Sequence, residues 1–246
     1  LDVLRKIQKQ YQAPKLSEIP HFTGGLVGYM GYESITWVED IPIYEKDNMQ
    51  FPDAIFMLFH DLIAFDHLQN QIILFSNVHI KDGIDCKKAY EDAHARIDTI
   101  GEDLHTDIDY QTPSRQQQSE LSSNCTKVEF EDAVLKAKEH IKAGDIFQLV
   151  LSQRFHRQTS ADPLTLYRAL RSINPSPYMF HLKMDDFDII GASPELLVKV
   201  EDGEIEIRPI AGTRQRDGDE TEDARLADDL LKDEKEKAEH LMLVDL

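Results

Sequence analysis

Glu236, Glu239 and His240 lie close together in DEKEKAEHLMLVDL, Asp233 to Leu246. On a helix, residues three and four apart share a face, so these three side chains fall within roughly a 100° arc. Carboxylates held that close repel each other unless water or a shared cation separates them, and hard oxygen donors of this kind suit magnesium. Lys235 and Lys237 could screen them instead, which would make the stretch a solvated acidic face. A Glu-x-x-His di-iron pattern is not met, because Lys237 stands three before His240. A second candidate is Glu195 in IIGASPELLVKV, just after a proline at a strand end. A carboxyl held between apolar strands has a raised pKa and can donate a proton, although a plain turn residue would look the same in sequence. The third is RPIAGTRQR, Arg208 to Arg216, where Gly212 permits close backbone approach and Thr213, Arg214 and Arg216 offer donors to a carboxylate.

Composition limits what these groups can act on. The chain has 246 residues, 41% of them apolar, which is enough for a real core. Its formal charge of −19 argues against nucleic acid as a partner, since phosphate binding needs clustered Lys and Arg. An anionic substrate would need basic groups, helix N-termini or a bound cation to enter so acidic a protein. Cys86 and Cys125 read as two unpaired thiols. No apolar run approaches the roughly 18 residues of a membrane span, and the opening LDVLRKIQKQYQ lacks the layout of a signal peptide. A soluble, cytoplasmic protein is expected, with no nucleic-acid and no membrane partner.

The elements that must position these residues follow from periodicity. After an opening amphipathic helix, FTGGLVGYMGYESI sets Gly24, Gly25, Gly28 and Gly31 among aromatics, a spacing for close packing. The dinucleotide pattern G-x-G-x-x-G is absent from it. Three runs, Ala54 to His60, Asp61 to Asp66 and Gln71 to Val78, read as a β-meander, and Lys87 to Ile100 as a helix. Gly101 to Thr126 is polar and reads as a linker. Lys127 opens a helix that ends at Gly144, and DIFQLVLSQRFHRQ reads as a long buried strand. DPLTLYRALRSIN is a helix with Asp162 as N-cap and Pro163 in its first turn. NPSPYMF by itself is an X-Pro-X-Pro turn entering a strand. Strands are expected at Tyr178 to Lys183, Asp188 to Ala192, Leu196 to Val200 and Glu204 to Pro209, and a final helix from about Glu220. The fold class is α+β, layered antiparallel sheets with flanking helices, arranged as an N-terminal region 1–117, a polar linker 118–126 and a second domain 127–246.

Taken in order, GDIFQLVLSQRF, NPSPYMFHL, GASPELLVKV, RPIAGTRQR and DEKEKAEHLMLVDL closely resemble the component I family of anthranilate synthases, among the chorismate-utilising enzymes. FTGGLVGYMGYE resembles the N-terminal region of the same proteins. The resemblance implies the component I fold, in incomplete form, because the closing helix stops without a cap or a Gly. It implies amination of chorismate with ammonia from a glutamine amidotransferase subunit, giving anthranilate and pyruvate for tryptophan biosynthesis. By the same resemblance, Glu239 binds a magnesium ion, with Glu236 beside it. Glu195 is the general acid for the departing C4 hydroxyl, and Gly212 and Thr213 contact substrate. Gln148 stands where water-adding members carry a Lys base, and an amide cannot take a proton from water. Asn174, Pro175, Met179 and Phe180 line a feedback site for tryptophan. Ala211 occupies the place of a Lys in many aminodeoxychorismate synthases, which disfavours that alternative. A noncatalytic binding protein is the other. Asp217 departs from the Gly that often follows Arg216. The 246 residues alone are expected to be inactive.

Overall fold

Apolar runs that alternate with turns fold here into a series of separate hairpins, each braced by a helix or left open. The computed structural model describes residues 1–14, 16, 19–42, 49–108 and 119–245. The chain divides into two units, Leu1–Tyr110 and Gln111–Leu246. It mixes helices with small antiparallel sheets, and among the described residues there are five sheets of two strands each.

In the first unit, α1 (Asp2–Gln8) precedes β1 (Gly25–Met30), which pairs antiparallel with β2 (Ala54–Phe59) so that Gly28 faces Phe56. β3 (Asp61–Asp66) pairs with β4 (Gln71–Ser76) around a turn in which Asp66 accepts the backbone N–H groups of Leu68 and Gln69. The expected three-strand meander is therefore two hairpins. β2 pairs with the glycine-rich β1 and not with β3, and glycine lets the two backbones come close. α2 (Cys86–Asp103), capped by Asp85, packs along β4 and buries Ala93.

Asp61 ties that helix to its hairpin. Its Oδ1 accepts from Ser76 Oγ at 2.6 Å and from Arg96 Nε at 3.2 Å. The Ser76 hydroxyl first, with burial opposing it and the Arg96 guanidinium adding to it, holds the Asp61 carboxyl below its ordinary value. A depressed carboxyl stabilises the fold above its unfolded pKa and loses that contribution as pH falls through the folded value. Asp61→Asn is therefore expected to lower Tm at pH 7, with the gap to the native protein closing as the pH is taken below about 4. A gap that stayed constant from pH 7 to pH 3 would count against this account.

Among the described residues the first strand of the second unit is β5 (Leu121–Ser123), inside the stretch read as a linker, and it pairs with β6 (Phe155–Arg157). Residues 109–118 of that polar stretch lie outside the described residues. α3 (Lys127–Ala143) carries a capping box between Thr126 and Glu129 and ends at Gly144, whose φ of 82° is a left-handed cap. α4 (Pro163–Ile173), capped by Asp162, packs on the hairpin of β7 (Tyr178–Lys183) and β8 (Asp188–Ser193). β9 (Leu196–Glu201) and β10 (Glu204–Arg208) turn through Asp202 and Gly203, both at positive φ.

Two expectations are corrected in this unit. The long buried strand from Asp145 is regular only at β6, and Phe147 and Val150 are 81% and 85% exposed. A strand persists only where its N–H and C=O groups find a ladder, and β5 offers just three residues. The closing helix is also two helices, α5 (Glu220–Lys232) and α6 (Glu234–Asp245). Asp233 breaks it: its backbone is extended, and its Oδ1 accepts from the N–H groups of Lys235 and Glu236, so it caps the second helix.

Candidate functional site

The β8–β9 turn supplies the first group. Ser193 Oγ donates to the carbonyl of Glu195 at 3.0 Å and accepts the Glu195 N–H at 3.2 Å, which fixes a tight turn after Pro194. Glu195 is exposed there, not enclosed between apolar strands. Its Oε1 accepts the backbone N–H of Ile210 at 3.1 Å. One hydrogen bond thus binds the turn to the segment leaving β10, and that segment runs directly into Ala211, Gly212 and Thr213.

Gly212 is the next fixed point. A Cβ built on it would lie 2.2 Å from Glu236 Oε2 and 2.8 Å from Glu236 Cδ, so the first turn of α6 lays its carboxylate over this glycine. Arg214 secures the approach. Nε donates to Asp229 Oδ2 at 3.0 Å, Nη2 to Asp233 Oδ2 at 2.8 Å and Nη1 to the Thr213 carbonyl at 3.1 Å, with Glu236 Oε1 3.8 Å from Nη1. The hydrogen bonds to Asp229 and then Asp233 raise the Arg214 pKa above its already high value. The Asp233 carboxyl is held below its ordinary value, chiefly by the Glu236 N–H and also by Arg214. Arg214, read in sequence as a donor for a substrate carboxylate, is instead committed to carboxylates of the protein. Arg216 is committed in the same way, to Asp223 at 2.7 Å. Asp217 fits without a glycine, since its N–H donates to Asp223 and its carboxylate accepts the Asp219 N–H.

The structure therefore ties Glu195 to Ile210 and, two residues on, lays Glu236 over Gly212. Glu239 follows on α6 and is half-buried like Glu236, whereas Lys235, Lys237 and His240 are exposed. Among the described residues no group of three or more His, Cys, Asp or Glu side chains is placed to hold a metal. Two half-buried carboxylates three apart are nonetheless a donor set of the type magnesium uses, because it takes one or two protein carboxylates and completes its shell with water and substrate oxygens.

The other expected residues lie elsewhere. Gln148 is exposed on the irregular segment after α3. Asn174 ends α4, and Pro175 follows it exposed. Met179 and Phe180 are successive residues of β7, so their side chains leave on opposite faces. The Phe180 ring covers Gly191, where a Cβ would lie 2.2 Å from Cζ. Within β7, then, Met179 and Phe180 face different neighbours. A separate cavity of about 770 Å³, lined by Phe130, Val134 and Leu135 of α3 with Cys125 and Gln153, contains none of the expected site residues. The residues the sequence reading overlooked are Asp229, Asp233 and the Ile210 N–H. The visible clue was a pair of arginines followed by so acidic a helix.

The profile of a family described as chorismate binding enzyme matches residues 1–246. The chain is 42% identical, along its whole length, to anthranilate synthase component 1 of Acetivibrio thermocellus, of which it covers 51%. It is 40% identical to the chloroplastic anthranilate synthase alpha subunit 1 of Arabidopsis thaliana, again along its whole length and over 44% of that protein. The crystal structure of anthranilate synthase component I from Streptococcus pneumoniae TIGR4 superposes with a TM-score of 0.83 at 33% identity, over 99% of this chain and 52% of that one. The chain thus spans about half the length of the curated relatives it matches. Among the described residues no helix is long and apolar enough to cross a membrane.

Proposed function

This chain belongs to the chorismate binding enzyme family, and on that basis we propose that the whole protein is a cytoplasmic anthranilate synthase component 1, acting in tryptophan biosynthesis. It would convert chorismate and ammonia to anthranilate, pyruvate and water. The observation that carries this reading is the segment from Ile210 to Thr213, which Glu195 holds at the Ile210 N–H and Glu236 covers at Gly212.

In this reading Glu195 is the general acid for the C4 hydroxyl of chorismate, which leaves as water while the amine forms its bond at C2. Oε1 is engaged by the Ile210 N–H, which leaves Oε2 to face the substrate. Loss of pyruvate from the aminated ring then restores aromaticity. The loop at Gly212 and Thr213 offers its backbone to the substrate carboxylate. Glu236 and Glu239 would hold magnesium, which when bound supplies positive charge to fix a ring carboxylate in an otherwise acidic protein. Gln148 stands aside from water activation, since an amide is no base at neutral pH. Ammonia is assigned to a glutamine amidotransferase partner, and Asn174, Pro175, Met179 and Phe180 to the tryptophan feedback site.

The full-length protein, incubated with chorismate, ammonium and magnesium, is expected to release anthranilate, read by its fluorescence, and to stop when EDTA removes the metal. The 246-residue chain is expected to give none. Accumulation of a nonaromatic aminated product, with no anthranilate, would assign the protein to aminodeoxychorismate formation instead.

A further inference from the structure

We propose that Arg214 is a positioning residue that locks the substrate loop and the Glu236 carboxylate into one unit; the proposal rests on the reading of Glu236 as a magnesium ligand. Its guanidinium touches the loop, the end of α5 and the start of α6 together. Nη1 holds the Thr213 carbonyl from the loop side, Nε holds Asp229 in the last turns of α5, and Nη2 holds Asp233, the residue that breaks the helix and caps α6. Glu236 comes next, 3.8 Å from Nη1 and pressed against Gly212. The Arg214 side chain is only 26% exposed.

The geometry demands a fork. Three nitrogens, pointing in different directions in one plane, are each used on a different partner, and a lysine ammonium at the end of a flexible stem cannot reproduce that. Charge alone would work the other way, because a cation beside Glu236 opposes the arrival of a second cation. Arg214 therefore helps metal binding only through geometry. It fixes where α6 starts, and so which way Glu236 points, while Asp229 and Asp233 absorb most of its charge.

Arg214→Lys separates these effects, since it keeps the charge and removes the fork. Mn²⁺ affinity of the full-length protein would be read by electron paramagnetic resonance, beside thermal unfolding, for the native protein, Arg214→Lys, Asp229→Asn and Glu236→Gln. Arg214→Lys is expected to weaken Mn²⁺ binding roughly 10- to 100-fold, the usual cost of losing a residue that orients a metal ligand, with Asp229→Asn shifting it in the same direction. If Glu236→Gln weakens binding but Arg214→Lys matches the native affinity and only lowers Tm, Arg214 is merely structural and the proposal is overturned. If Glu236→Gln itself leaves Mn²⁺ affinity unchanged, Glu236 is not a ligand, and the site reading falls together with the proposal.

Discussion

Replacing Glu195 by Gln in the full-length protein is expected to lower turnover of chorismate by roughly 10²- to 10⁴-fold, the usual contribution of a positioned general acid. The substitution is clean because of how the carboxylate is held. Oε1 accepts the Ile210 N–H at 3.1 Å, and the amide oxygen of Gln can accept the same bond, so the join between the β8–β9 turn and the Gly212 loop survives. What is lost is an acidic proton on the second position, since an amide N–H does not protonate a leaving hydroxyl. Thermal unfolding should be unchanged and kcat should carry the loss. If Glu195→Gln turned over within a few-fold of the native rate, another acid would have to be sought. A large drop in Tm would instead make Glu195 a structural strut of its turn.

Gly28→Ala is expected to be among the most damaging single-methyl additions in the first unit. A Cβ at that position would lie 1.8 Å from the Ile55 carbonyl oxygen, 2.8 Å from its carbon and 2.8 Å from Phe56 Cα. These are backbone atoms of the paired strand, so no side chain can rotate away, and β1 must separate from β2. Overpacking costs about 1–3 kcal/mol where neighbours can yield, and here they cannot, so that range is a floor. At about 2–4 °C per kcal/mol for chains of this size, the fall in Tm should be plain in a melting curve. Gly101→Ala is the matched control. Gly101 sits within α2, its nearest non-local neighbour would be Leu74 Cδ1 at 3.9 Å, and alanine is the better helix former by up to about 1 kcal/mol. Equal melting temperatures for Gly28→Ala and the native protein would show that the β1–β2 pairing has room for a methyl group at this position.

Where local chemistry is decisive, sequence was a good guide. The caps at Asp162 and Gly144 were legible because each satisfies or ends a helix with atoms only a few residues away, whereas the Thr126–Glu129 capping box fell at the end of a stretch read as linker. The strands of the two later hairpins were legible because alternation and the Asp202–Gly203 turn are also local. The errors share a cause. A strand from Asp145 and a meander through β3 both require a particular partner edge, and alternation says that a segment can pair without saying with what. The unbroken closing helix failed for a subtler reason: Asp233 can sit within a helix or cap a new one, and Arg214, 19 residues away, favours the cap.

The candidate site divides along the same line. Sequence by itself determined which residue types were available: an acid after a proline, a glycine before a threonine, and two carboxylates one helical turn apart. It also determined, through five ordered motifs, the family to which the chain belongs. Tertiary structure alone decided that Glu195 faces solvent while bound to the Ile210 N–H, that Glu236 lies on Gly212, and that Met179 and Phe180 part to opposite faces. It also turned Arg214 from an expected ligand for substrate into the clasp of the protein's own acids. The physical reason is range. Propensity, capping and alternation act over a few residues, whereas the place of a carboxylate depends on which distant donor reaches it first, and only the folded chain brings those donors near.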